Sequence, residues 1–195
     1  PKATADAADI AATSILLTHG HADHIGDAVP IALRTGATVQ AITEIAGEVA
    51  EDGVTAIDTN IGGTATYDWG WARLVPAFHT STTPKGTITP PGGLVIGFGD
   101  TVIYHLGDTA LFSDLALPGR RQPIDIALIP IGGHYTMDRH DAVEAARLVG
   151  ATTVIPIHYN TFPPIETDAH AFKADVEAAG IAQVVVLDPG EAHTV

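Results

Sequence analysis

Between Thr18 and His24 the chain reads Thr-His-Gly-His-Ala-Asp-His, which places four metal-ligand-type side chains, His19, His21, Asp23 and His24, within six residues. The apolar run Ser14–Thr18 leads straight into this stretch and reads as a buried strand. Beyond it, Ile25, Val29 and Leu33 recur at helical spacing and predict a helix over Asp23–Arg34. The alternation His-x-His sends two imidazoles to one side of an extended segment. Asp23 and His24 then open the helix and can face a neighbouring position. A His-rich surface loop would have no reason to fall where a strand must end.

Three more ligand-type residues share that placement. His79 follows the apolar run Leu74–Phe78, Asp108 follows Val102–Leu106 through Gly107, and His158 follows Val154–Ile157. In layered α/β proteins, ligands gather outside the carboxyl ends of strands. A lone His at a strand end is more often a hydrogen-bonded structural group. Four strands ending in such residues argue for one shared site. Apolar runs predict further strands at Thr38–Ile42, Arg73–Phe78, Leu94–Phe98, Thr101–Leu106, Ile124–Ile131, Thr153–Ile157 and Gln183–Leu187. Helices are predicted from the second strand through about Ala50, at Asp138–Val149 and at Asp168–Ala179, the last two each followed by Gly. The alternation points to an α/β layered architecture in a single domain over residues 1–195. Gly62-Gly63 and Gly92-Gly93 read as turns.

Composition narrows the chemistry. The chain has no cysteine, so thiolate metal sites, disulfides and cysteine nucleophiles are excluded, and any metal must be held by His and carboxylate. The absence of Cys also suits a reducing cytoplasm. Asp and Glu number 23 against nine Lys and Arg, a formal net charge of −14 that disfavours nucleic acid as a partner. No apolar run reaches the roughly 18–20 residues of a membrane span, and no positively charged leader precedes an apolar stretch.

The motif Thr-His-Gly-His-Ala-Asp-His resembles the H-x-H-x-D-H signature of the metallo-β-lactamase superfamily. Ala-Phe-His-Thr-Ser, His-Leu-Gly-Asp-Thr and Pro-Ile-His-Tyr-Asn-Thr-Phe follow in that superfamily's order. With Pro-Ile-Gly-Gly-His-Tyr-Thr-Met they are similar to predicted metal-dependent hydrolases related to the ascorbate-6-phosphate lactonases. The resemblance implies an αβ/βα sandwich of two mixed sheets flanked by helices. It implies that His19, His21 and His79 bind one metal, that Asp23, His24 and His158 bind a second, and that Asp108 bridges them. The cofactors expected are two divalent ions, zinc first, with Mn, Fe or Ni also compatible. Such a pair shares a bridging water and lowers its pKa, giving a hydroxide that cleaves an ester-type bond, lactone or phosphodiester, of a small-molecule substrate. Asp23 would help orient that hydroxide.

Only eighteen residues precede His19, fewer than family members carry, and the sole methionine is Met137. The expectation is an N-terminally incomplete domain, lacking its first strands, which a separate peptide or chain supplies. Homo-oligomerisation is left open.

Other residues have two readings. His134, in Ile131-Gly132-Gly133-His134-Tyr135, is either a substrate-binding or proton-donating group or a structural His in a tight turn. Tyr159 and Asn160 directly follow a ligand and are candidate pocket residues. His105, inside a strand, reads as structural, and His140, His170 and His193 as solvent-facing. Rival functions are a di-iron redox protein, an RNA-processing nuclease, and a non-catalytic metal-binding or incomplete domain.

Overall fold

The chain folds in a computed structural model that describes residues 3–194. Ten strands run in chain order: β1 Ser14–Leu16, β2 Thr38–Ile42, β3 Ala56–Thr59, β4 Thr64–Tyr67, β5 Gly70–Pro76, β6 Gly92–Phe98, β7 Thr101–His105, β8 Ile126–Pro130, β9 Thr153–Ile157 and β10 Gln183–Val184. Among the described residues six α-helices lie between them: α1 Ala22–Ile25, α2 Ala28–Thr35, α3 Thr43–Glu51, α4 Leu117–Arg121, α5 Arg139–Val149 and α6 Ala169–Ala178. The strands form a parallel sheet ordered β1-β2-β3 and a seven-stranded mixed sheet ordered β10-β9-β8-β7-β6-β5-β4. No helix among the described residues is long and apolar enough to cross a membrane.

Side-chain alternation builds the layers. Successive residues of a strand face opposite sides of its sheet, so Leu74 and Leu94 join Leu17, Val39 and Ala41 in one core with Ile45, Ala46 and Val49 of α3. Their neighbours Val75 and Val95 point the other way, into a second core with Tyr104, Ile129, Val154, Ala145 of α5 and Phe172 of α6. The result is helix, sheet, sheet, helix, the α/β sandwich expected. Gln40 bridges the two sheets while fully buried, donating to the Ala72 carbonyl at 3.3 Å and accepting from the Tyr67 hydroxyl at 2.7 Å.

Several boundaries differ from the sequence reading for local reasons. The helix predicted over Asp23–Arg34 is two helices, because Gly26 takes φ 46° and ends α1. Pro30 then falls in the first turn of α2, where its missing N–H breaks no helical bond. Ala28 and Ala32 face inward from α2, while Leu33 is exposed. Gly92 and Gly93 belong to β6 and form no turn. A Cβ on Gly93 would stand 2.9 Å from the Leu106 carbonyl oxygen, so glycine there lets the chain after β7 approach closely. β3, β4 and α4 are additional to the elements predicted.

Candidate metal centre

Strand direction gathers the ligand-type residues. β5 and β7 each run antiparallel to β6 and therefore parallel to each other, and β8 and β9 continue in the same sense. The carboxyl ends of β5, β7 and β9 thus share one edge of the larger sheet, and His79, Asp108 and His158 lie just beyond them. β1 of the smaller sheet delivers His19, which is completely buried, and α1 carries Asp23 and His24.

All seven side chains converge. The Nε2 of His19 lies 3.1 Å from Nδ1 of His21. Oδ2 of Asp108 is approached by Nε2 of His158 at 3.2 Å, of His24 at 3.3 Å and of His79 at 3.5 Å. Oδ2 of Asp23 stands 3.5 Å from Nε2 of His24. By proximity the donor atoms fall into the groups His19/His21/His79 and Asp23/His24/His158, with His19, His24 and Asp108 forming a third group that joins them.

This donor set fits divalent metal. Tetrahedral bonds of about 2.0–2.1 Å to nitrogen and oxygen put neighbouring donors about 3.3 Å apart, which is the spacing around Asp108. His24 Nε2 and Asp108 Oδ1 are buried with no hydrogen-bond partner among the described residues, as is His158 Nδ1. An unsatisfied buried polar atom costs about 1–3 kcal/mol. A cation satisfies a nitrogen lone pair and a carboxylate oxygen together, which a hydrogen-bond network of imidazoles alone does not achieve.

The electrostatics agree. Burial pushes the His19 imidazole down to about 3, and the neighbouring His24 adds to this. Burial also lowers His79, against the pull of Asp108. Both rings are therefore neutral near pH 7, the form that ligates. Burial alone would raise the Asp108 carboxyl, but its contacts with His158 and His24 hold it well below the usual carboxylate range. Contact with Asp108 raises His158 in turn.

The loops beneath are tied to one another. Thr18 Oγ1 sits 3.0 Å from His19 Nδ1 and leaves Nε2 to face the other ligands. Thr109 Oγ1 accepts from the Phe78 N–H at 3.0 Å, and the Ala110 N–H donates to the Phe78 carbonyl at 2.9 Å. The segments carrying Asp108 and His79 are thereby clamped together. Ser81 Oγ accepts from the Gly20 N–H at 2.9 Å and so fixes the backbone between His19 and His21. His158 itself has φ 55°, a left-handed conformation that is uncommon outside glycine and recurs at functional sites.

The open side of the centre is a cavity of about 430 Å³ lined by His21, Asp23, His79, Thr80, Asp108, Tyr135, His158 and Phe162. Tyr135 and Phe162, with ring centroids 6.1 Å apart, were not singled out in the sequence. Both are exposed aromatics, and only their adjacency to His134 and to the His158 loop could have flagged them. His134 does not line this cavity; it packs edge-on against Tyr135 at 4.5 Å. Tyr159 and Asn160 line a neighbouring cavity with Glu166, Asp168 and His170, and the Asn160 side-chain oxygen accepts from the Thr167 N–H at 2.8 Å. His105 is a strand residue whose Nδ1 accepts from the Gly107 N–H, and burial lowers it to about 4. His140, His170 and His193 are exposed.

Two layered sheets with this edge cluster define the metallo-β-lactamase type of fold. The sequence pattern of the β-lactamase superfamily domain matches residues 2–159. A UPF0173 metal-dependent hydrolase of Staphylothermus marinus is 47% identical over 180 residues, covering 92% of this chain and 77% of the relative. Another from Pelotomaculum thermopropionicum is 43% identical over 196 residues, covering 98% and 86%. The crystal structure of Igni18, described as a novel metallo hydrolase from Ignicoccus hospitalis, superposes with a TM-score of 0.83 at 42% identity, covering 91% of this chain and 77% of that one. The chain belongs to the β-lactamase superfamily and, within it, to the UPF0173 metal-dependent hydrolase family.

Proposed function

We propose that this chain holds two divalent metal ions, zinc first, and hydrolyses an ester-type bond, lactone or phosphodiester, in a small molecule. The observation that carries this is the approach of His24, His79 and His158 to one oxygen of Asp108 at 3.2–3.5 Å. His19, His21 and His79 would hold one ion, Asp23, His24 and His158 the other, and Asp108 both. Bound there, two such ions supply Lewis-acid polarisation and lower the pKa of water.

The chain's own residues do the rest. Asp23, the more exposed of the two carboxylate ligands, would also orient the hydroxide at the cavity side. Tyr135 and Phe162 offer aromatic faces to the body of the substrate. His134, held against Tyr135, is assigned to substrate contact or proton donation from that loop, and Tyr159 and Asn160 to the outer part of a larger substrate. The lactone half of the substrate class follows the resemblance to ascorbate-6-phosphate lactonases.

A panel of simple lactones and phosphodiesters, assayed with the metal-loaded protein, tests the reading. Turnover of one class, abolished by chelation, is expected. Inertness toward every ester while two metals are bound would favour a non-catalytic metal-binding role.

One edge of β1 is unpaired among the described residues, beside an apolar groove formed by Leu16, Trp69, Ile96, Phe98 and Ile103. An unpaired edge invites a further strand. The expected N-terminal peptide is our proposed occupant, and a single mass for the purified active sample would rule it out.

A further inference from the structure

On the outer face of the larger sheet, another cavity, of about 290 Å³, lies between β5, β6, β7 and α4. None of the seven metal-ligand-type residues lines it. Val75, Val95 and Leu117 make its walls apolar, while Arg73, Tyr104 and Arg121 bring polar groups to it.

Tyr104 is 1% exposed, yet its hydroxyl makes no hydrogen bond to a described residue. Buried tyrosines normally find a partner for that group. Tyr104 is one of the residues that line this cavity, which is the open space beside its unpartnered hydroxyl. Burial raises this phenol above its ordinary range, so it stays protonated and can donate.

The two arginines are equally uncommitted. Arg73 uses Nε to donate to Thr64 Oγ1 at 2.8 Å, and its guanidinium forms no ion pair with a described residue. The Arg121 guanidinium has no partner among them. In a chain with 23 acidic residues and nine Lys and Arg, cations are scarce, and two unpaired guanidiniums at one apolar cavity form a distinct positive spot. Asp114 also borders the opening, but its Oδ1 accepts from Ser113 Oγ and neither arginine pairs with it.

We propose that this cavity binds a small organic carboxylate with an apolar body, the carboxylate held by Arg73, Arg121 and the Tyr104 hydroxyl. Guanidinium matches carboxylate in a two-pronged geometry. The volume lies at the small end of ligand pockets, about 300 Å³, which suits a single ring or a short chain.

The test is isothermal titration of the metal-loaded full chain with benzoate, cyclohexanecarboxylate and hexanoate, and with benzyl alcohol as an uncharged counterpart. At least one carboxylate should bind, with benzyl alcohol about tenfold weaker or worse, because a charge-assisted contact is lost. Arg121→Gln and Tyr104→Phe should each weaken the carboxylate about fivefold or more while metal content stays at the wild-type level. Tyr104→Phe should unfold no earlier than wild type, since the hydroxyl it removes has no partner. Failure of all three carboxylates to bind at millimolar concentration overturns the proposal. Binding that neither variant weakens overturns it too, since the carboxylate would then sit elsewhere, such as at the metals.

Discussion

Nε2 of His158 stands 3.2 Å from Oδ2 of Asp108, although the two residues leave different strands, β9 and β7. Asp108 is the hub of the cluster, and His24 and His79 approach the same oxygen at 3.3 and 3.5 Å. Replacing Asp108 by Ala should therefore remove metal and activity together. We expect metal content below one equivalent per chain and kcat/KM lower by at least about a hundredfold, the upper range for disturbing a ligand's support. Retention of two metals with full turnover would remove Asp108 from the site.

Thr109 acts at one remove, as a positioning residue. It accepts the Phe78 N–H and so holds the loop that presents His79. Thr109→Val keeps the volume but loses the acceptor. Metal affinity, measured by chelator competition, should fall about tenfold, and Thr109→Ser should restore it. A purely steric role would leave Val tolerated and Ser no better.

Gly107 has φ 67°, and a Cβ there would stand 2.5 Å from the Gly92 carbonyl oxygen. Both the conformation and the contact oppose any larger residue. Gly107→Ala should lower stability by about 1–3 kcal/mol, read as a lower denaturant midpoint with an unchanged slope. An unchanged midpoint would mean that the turn before Asp108 can relax freely.

Much of this was legible in the sequence, and the reasons are local. The Thr18–His24 motif and the strand-end positions of His79, Asp108 and His158 depend on short-range pattern, and the structure brings these residues together. β3 and β4 were not legible because Ala56–Thr59 and Thr64–Tyr67 are short and half-exposed, with no long apolar run. Gly92-Gly93 looked like a turn because the close approach of Leu106 that requires glycine is a long-range contact. Tyr135 and Phe162 were missed because their value lies in where two loops end up, which no periodicity records.

Tyr135→Ala should raise KM severalfold with little change in kcat, since the ring offers binding surface and no ligand atom. Steady-state kinetics on whichever ester proves active decides this. A fall in kcat at constant KM would give Tyr135 a chemical role instead.

Asp168 caps α6, accepting from the N–H groups of His170 and Ala171 at 2.9 Å. The Ala171 N–H, foremost, holds its carboxyl below the ordinary value of 3.8. A carboxylate depressed in the folded state adds stability above its unfolded pKa and loses it as pH falls through the folded one. Asp168→Ala should thus melt earlier than wild type at neutral pH, and the two should converge below about pH 3.8. A melting gap that persists unchanged into strong acid would show that charge at the cap is not what stabilises the helix.

In the proposed arrangement seven side chains build one site for two ions. Elemental mass spectrometry of protein purified without added metal measures this directly. Close to two equivalents of divalent metal per chain are expected, removed by chelation together with ester hydrolysis and restored by zinc. A chain that takes up no metal even after incubation with zinc or manganese would contradict it.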